Sequence, residues 1–194
     1  MSKDRFVAFF DAIMAIIMTI VVLEFVIPSG TKWSDLEVLG YQIVAYAISF
    51  FWLGGMWINI HNIWHNVDII DKSVLWANIA MLFFSSMIPF LVVYVGRNIG
   101  EIVPQLLYGI DVLLITICNE ISVELLGRHH ECIRRQLKMF RISILIDFAI
   151  KVVGIIIGVA AYPPAIMISV MAAMVFLIVW RNVTERKNKK QVTE

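Results

Sequence analysis

The hydrophobic positions of this chain fall into six long runs separated by short polar segments. They extend from about Phe6 to Ile27, Val38 to Trp64, Ser73 to Val95, Ile102 to Leu126, Ile142 to Ala161, and from Pro163-Pro164 to Trp180. Each is compatible with a membrane-spanning helix, which needs about 20 predominantly apolar residues. Pro28-Ser29-Gly30 stops the first run, Pro89 predicts a kink in the third, and Pro163-Pro164 is a favourable helix start for the sixth. The fourth run is the least apolar, because it carries Asp111, Glu120 and Glu124. The expected fold class is therefore an all-α membrane protein with six transmembrane helices per subunit. Residues 1–180 form the membrane domain and 181–194 a charged tail. Gly127–Met139 reads as a polar loop, and no soluble domain or convincing internal repeat is visible.

Composition agrees. Hydrophobic residues make up 60% of the chain, charged residues only 16%, and the mean hydropathy is +0.84, whereas soluble domains carry about 25% charged residues. A net charge of +1 and the lack of a basic arm with interleaved aromatics give no indication of nucleic acid. Cys118 and Cys132 read as free thiols. The first run contains Asp11 and ends without a small-residue cleavage site, unlike a cleavable signal.

Charge sets the expected orientation. With the amino terminus in the cytoplasm, the inner segments collect Lys3, Arg5, Lys72, the basic residues of 128–141 and those of the tail. The outer loops keep only Lys32 and Arg97, with Lys151 left inside the fifth helix. This asymmetry follows the positive-inside rule and places both termini in the cytoplasm, with the tail as a topology determinant.

The first helix holds the most informative charges. Only twelve uncharged residues separate Asp11 from Glu24, roughly 18 Å at about 1.5 Å per residue. A bilayer core is about 30 Å thick, so at least one carboxylate lies at membrane depth, where an ionisable residue is a functional candidate. At about 100° per residue, Ile16, Ile20, Leu23 and Ile27 share a stripe that Phe9 and Arg5 continue towards the cytoplasm. Thr19 and Glu24 flank it, and Asp11 points about 120° away from Arg5, so each charge needs a partner from another helix or subunit. Such a stripe also occurs on lipid-facing and packed helices, and does not by itself name a channel.

The segment Arg5-x-x-x-Phe9-Phe10-Asp11-Ala12 resembles the R-x-x-x-F-S-D motif of the transmembrane protein 175 family of potassium channels. Met56-Trp57-Ile58-Asn59-Ile60-His61 is similar to the family's second-helix run. Leu75-Trp76-Ala77-Asn78 with Phe83 through Pro89-Phe90 is similar to its third helix, and Tyr108-Gly109 to its fourth. Phe10 stands where the family usually has serine.

The resemblance implies a homotetramer in a prokaryotic cell membrane, conducting potassium ions through the lipid bilayer along a pore lined by the first helices. The family lacks a TVGYG filter, and none occurs here. It implies an apolar constriction at Ile16, Ile20 and Leu23, with Thr19 as a polar layer assisting cation selection. Such a constriction favours the cation that sheds water more easily and can close by dewetting. The resemblance also implies an anchoring network of Arg5, Phe9, Asp11, Trp57, His61, Trp76 and Asn78 around the first helix.

Glu24 reads equally as a cation-concentrating group at the pore mouth or an interfacial residue reaching water. Asp147 and Lys151, four apart in the fifth helix, read as a local ion pair, with a proton or substrate relay as the alternative. A proton-coupled transporter using Asp111, Asp147 and His61 is accordingly the competing function. Asp111 lies where the family often has asparagine. Gly154-x-x-x-Gly158 permits close approach of a helix without naming it. His129, His130 and Cys132 have no second cluster to complete a four-coordinate metal site. No nucleophile elbow, P-loop or metalloprotease motif is present, so nothing points to an enzyme, a cofactor or a metal.

Overall fold

A computed structural model describes residues 3–65, 67 and 70–193, without the side chains of 34, 129, 136, 182, 183 and 185–193. The side chain of His129 and most of the charged tail thus lie outside the described residues. Within them the chain is helical: α1 (Lys3–Ile20), α2 (Glu37–His65), α3 (Lys72–Ser85), α4 (Ile88–Arg97), α5 (Ile102–His129), α6 (Glu131–Ala160) and α7 (Ala165–Thr193). A membrane-embedded backbone must satisfy its own hydrogen bonds, and long helices do so segment by segment. Five stretches are long and apolar enough to cross: Lys3–Glu24, Glu37–His65, Lys72–Arg97, Ile102–Arg128 and Leu137–Ala160. The apolar part of α7, Ala165–Arg181, is shorter.

Helices α3 and α4 together make one of these stretches, bent ahead of Pro89. The ring of Pro89 crowds the carbonyl four residues earlier and supplies no N–H. The bend accordingly falls at Ser86-Met87, where Ser86 N donates to both Leu82 O (2.9 Å) and Phe83 O (3.2 Å). Met87 N donates to Phe84 O at 2.9 Å in a tighter turn.

The segment expected as a polar loop over Gly127–Met139 is helical instead. Only His130 separates α5 from α6. The 30 residues of α6 extend about 45 Å at about 1.5 Å per residue, so its basic first turns outrun a bilayer core. They pack back on α5 through fully buried Ile133 and through Gly127, where an added Cβ would stand 2.9 Å from Leu137. The density of charge there marks a solvated helix face, not an irregular chain.

The bundle is centred on α5, which packs against α3, α4, α6 and α7 and buries Tyr108, Val112 and Ile115. Gly154 and Gly158 bring α6 against α7: a Cβ on the first would overlap Ser169, and one on the second would overlap Ile166. Half of the α5 span is buried inside the chain's own fold but only 28% of the α1 span. Helix α1 therefore lies at the edge of the bundle.

Candidate functional site

Helix α1 has two faces. Phe6, Phe10, Met14 and Ile17, continued by Val21, are buried and recur at intervals of three or four residues. The other face carries Phe9, Ile16 and Ile20, continued by Leu23 in the turn that follows, all exposed, with Ile16 at 60% and Leu23 at 81%; Ile27, expected on the same stripe, lies beyond the helix. This is the stripe read from periodicity, and it turns away from the rest of the chain. Thr19 is exposed beside it and donates its hydroxyl to Ala15 O at 2.8 Å. With its proton committed to the backbone, the hydroxyl presents only lone pairs outward. Glu24 is exposed at the outer end.

That outer end differs from the sequence expectation of a helix to Ile27. The chain tightens into a 3-10 turn over Val21–Glu24 and becomes extended at Phe25 (φ −65°, ψ 138°). Pro28 disfavours helical geometry at the residue before it. The freed N–H of Val26 donates to Gln42 Oε1 on α2 at 3.2 Å.

Three levels of contact tie α1 to α2. Near the amino-terminal start, Phe6 and Phe10 meet Trp64 at ring centroid distances of 5.4 and 4.8 Å, the second edge-on. In the middle, Trp57 Nε1 donates to Asp11 Oδ1 at 2.7 Å, a short charge-assisted bond. His61 lies against Trp57, with centroids 5.4 Å apart. At the outer end stands the Val26–Gln42 bond.

Of the predicted anchoring set, the structure brings together Asp11, Trp57 and His61. It does not bring the others to them. Arg5 and Phe9 are exposed, and Arg5 makes no hydrogen bond or ion pair among the described residues. Trp76 is 70% exposed. Asn78 is buried but serves another contact, donating to Val74 O (2.8 Å) and to Ser122 Oγ on α5 (2.7 Å). Phe10 fills its position with a ring packed edge-on against Trp64.

A second polar cluster lies deeper in the subunit. Lys151 Nζ stands 2.7 Å from Asp147 Oδ2, with side chains only 3% and 5% exposed, and this is the local ion pair expected from their spacing. The ammonium also donates to Thr116 Oγ1 at 3.1 Å and lies 5.5 Å from the Trp52 ring centroid. Asp111 is buried, with Oδ2 accepting no hydrogen bond among the described residues. Phe6, Trp64, Gln42, Ser122 and Thr116 were not singled out from sequence. The four-residue spacing of Phe6 and Phe10, opposite the stripe, was the available signal for the first.

Residues 5–89 match the family described as endosomal/lysosomal potassium channel TMEM175. Over this segment the chain is similar to that family. The matched segment contains α1 to α3 and every residue assigned above to the stripe and the anchoring set. A Chryseobacterium protein named as a potassium channel is 36% identical over 121 residues, covering 62% of this chain and 63% of that protein. Another so named, from Streptomyces collinus, is 29% identical over 92 residues, covering 45% of each. These matches span less than two thirds of either relative's length. The crystal structure of a TMEM175 homologue from Chamaesiphon minutus, titled a lysosomal potassium-selective channel homologue, superposes with a TM-score of 0.69. It is 20% identical, with 91% of this chain and 96% of that chain covered. That likeness shows that the TMEM175 fold extends beyond residue 89.

Proposed function

We propose that this chain is one subunit of a potassium-selective cation channel, a homotetramer in which four copies of α1 surround the pore. The observation that carries this reading is the unpartnered apolar stripe of α1, flanked by Thr19 and backed by a face fastened to α2. The match of residues 5–89 to the TMEM175 family and the names of the bacterial relatives support it. In this reading Ile16, Ile20 and Leu23 form the constriction and Thr19 offers lone pairs to a partly dehydrated cation. Glu24 stands at the mouth. A constriction without a TVGYG filter provides no replacement for the hydration shell, so the more easily dehydrated potassium ion passes ahead of sodium.

The same reading takes six crossings and cytoplasmic termini in the cell membrane. The 17 residues of Ala165–Arg181 span about 26 Å as a helix, and a short span is accommodated by local thinning and by Arg181 extending to the interface. The transporter reading gains no support at Asp147, whose carboxylate is already neutralised by Lys151.

The test is reversal potential in planar bilayers, with potassium on one side and sodium on the other. The proposal expects reversal near the potassium equilibrium potential, shifted towards zero by Ile16→Asn, which wets the constriction. Unchanged discrimination in that variant removes Ile16 from the pore. Saturable pH-driven uptake without current would reinstate the transporter.

A further inference from the structure

Helix α6 changes from basic to apolar along one face. At about 100° per residue, Arg134, Lys138, Arg141 and Leu145 fall within about 60° of one another. All four are exposed, on the side turned away from buried Ser143, Asp147 and Lys151. The same face continues through Phe148 and Ile156, both exposed and apolar. The part of α6 long and apolar enough to cross a membrane starts at Leu137. Lys138 and Arg141 therefore stand within about its first turn, at the depth of lipid headgroups, and the apolar positions follow directly inward.

This charge is left largely unpaired. Glu131 is the one carboxylate of residues 131–141, and two guanidinium groups share it, Arg134 Nη2 at 3.3 Å and Arg135 Nη2 at 3.8 Å. Lys138 and Arg141 make no ion pair or side-chain hydrogen bond among the described residues. Glu124, exposed on α5 about one turn before Gly127, pairs with neither. Arg134 and Lys138 are instead like charges four apart, and Lys138 and Arg141 like charges three apart. Such spacings are destabilising in a helix, and an anion seated between the side chains relieves the repulsion.

We propose that this face of α6 binds an anionic phospholipid, its phosphate held by Lys138 and Arg141 and an acyl chain lying along Leu145, Phe148 and Ile156. Charge complementarity selects a net-negative lipid over a zwitterionic one, whose own ammonium would meet the same cations. The apolar continuation selects a lipid over a free phosphate. The site uses no residue of the α1 stripe and does not depend on the channel reading.

The test is native mass spectrometry of the purified full-length protein in detergent, titrated with dioleoylphosphatidylglycerol or dioleoylphosphatidylcholine, with glycerol 3-phosphate as competitor. Saturable binding of the phosphatidylglycerol, tighter than that of the phosphatidylcholine, is the expected result. A basic residue at an anionic surface contributes about a fivefold factor, so Lys138→Gln with Arg141→Gln should weaken binding by about 25-fold. Both side chains are exposed, so the fold should persist, and elution volume with helical circular dichroism checks this. Lys32→Gln with Arg97→Gln removes the same charge from two exposed residues elsewhere and should leave binding unchanged. An equal loss in both double variants would reduce the attraction to overall charge and overturn the proposal. Undiminished binding in the folded α6 variant, or equal binding of the two lipids, would overturn it as well. Displacement of the lipid by an equal concentration of glycerol 3-phosphate would make this a phosphate site without a lipid.

Discussion

Replacing Trp57 with phenylalanine removes one hydrogen bond and little else. The ring contact with His61, at 5.4 Å between centroids, can persist, while the 2.7 Å donation from Nε1 to Asp11 Oδ1 is lost. A hydrogen bond to an ionised acceptor contributes about 1.5–3 kcal/mol in proteins generally. Interhelical hydrogen bonds in membranes average only about 0.6 kcal/mol, with a ceiling near 1.7, because the unfolded chain also finds partners. Asp11 is half-buried and the bond is short at 2.7 Å, which places it towards the top of the membrane range. A coupling of about 1–1.7 kcal/mol is expected. The assay is a double-mutant cycle of Trp57→Phe with Asp11→Asn, using reversible unfolding in mixed micelles of dodecylmaltoside and sodium dodecyl sulfate. Independent sites add to within about 0.3–0.5 kcal/mol. Losses that add within that margin would refute the claim that this bond fastens α1 to α2.

Phe10→Ser restores the family's usual residue but empties a fully buried site between Phe6 and Trp64. It should destabilise the protein by about 3–5 kcal/mol, the range for deleting a buried phenylalanine, measured in the same micelles. Lys151→Met leaves Asp147 buried and uncompensated, and should be destabilising by about 3–5 kcal/mol. Adding Asp147→Leu should recover most of that loss, and failure to recover would point to a role beyond mutual neutralisation. Gly154→Leu forces a side chain into Ser169 on α7. Overpacking of this kind is destabilising by about 1–3 kcal/mol, and an unchanged unfolding midpoint would contradict the close α6–α7 approach.

The two faces of α1 were legible because helical periodicity reports directly which positions share a side. Ile16, Ile20 and Leu23 emerge together on the exposed face, as spacing alone required. Periodicity does not report what a face meets. Asn78 looked equivalent to His61 as an anchoring residue, yet its amide reaches Ser122 on α5, 44 positions away. Nor did composition distinguish a charged helix from a loop: 127–139 was read as irregular for its arginines and lysines, although Gly127 and Ile133 seat it on α5. The Asp147–Lys151 pair was legible because both partners lie on one helix. Thr116 and Trp52, which complete its surroundings, come from two other helices and left no local signal.

The way α1 is held bears on the proposed pore. Three of its attachments, Phe6 and Phe10 on Trp64, Asp11 on Trp57, and Val26, just beyond the helix, on Gln42, run to α2, and α1 also packs against α3 and α4. A helix fixed at one end would pivot and vary the pore radius along its whole height. A helix fixed at three levels keeps its stripe in register with α2, so the apolar side chains can vary in rotamer while the backbone stays in place. In the proposed tetramer, Arg5 and Trp76, exposed in the single subunit, would find partners on neighbouring copies. Gating by dewetting would then arise from small side-chain movements at Ile16, Ile20 and Leu23, and displacing the whole helix would first require breaking the Trp57–Asp11 bond.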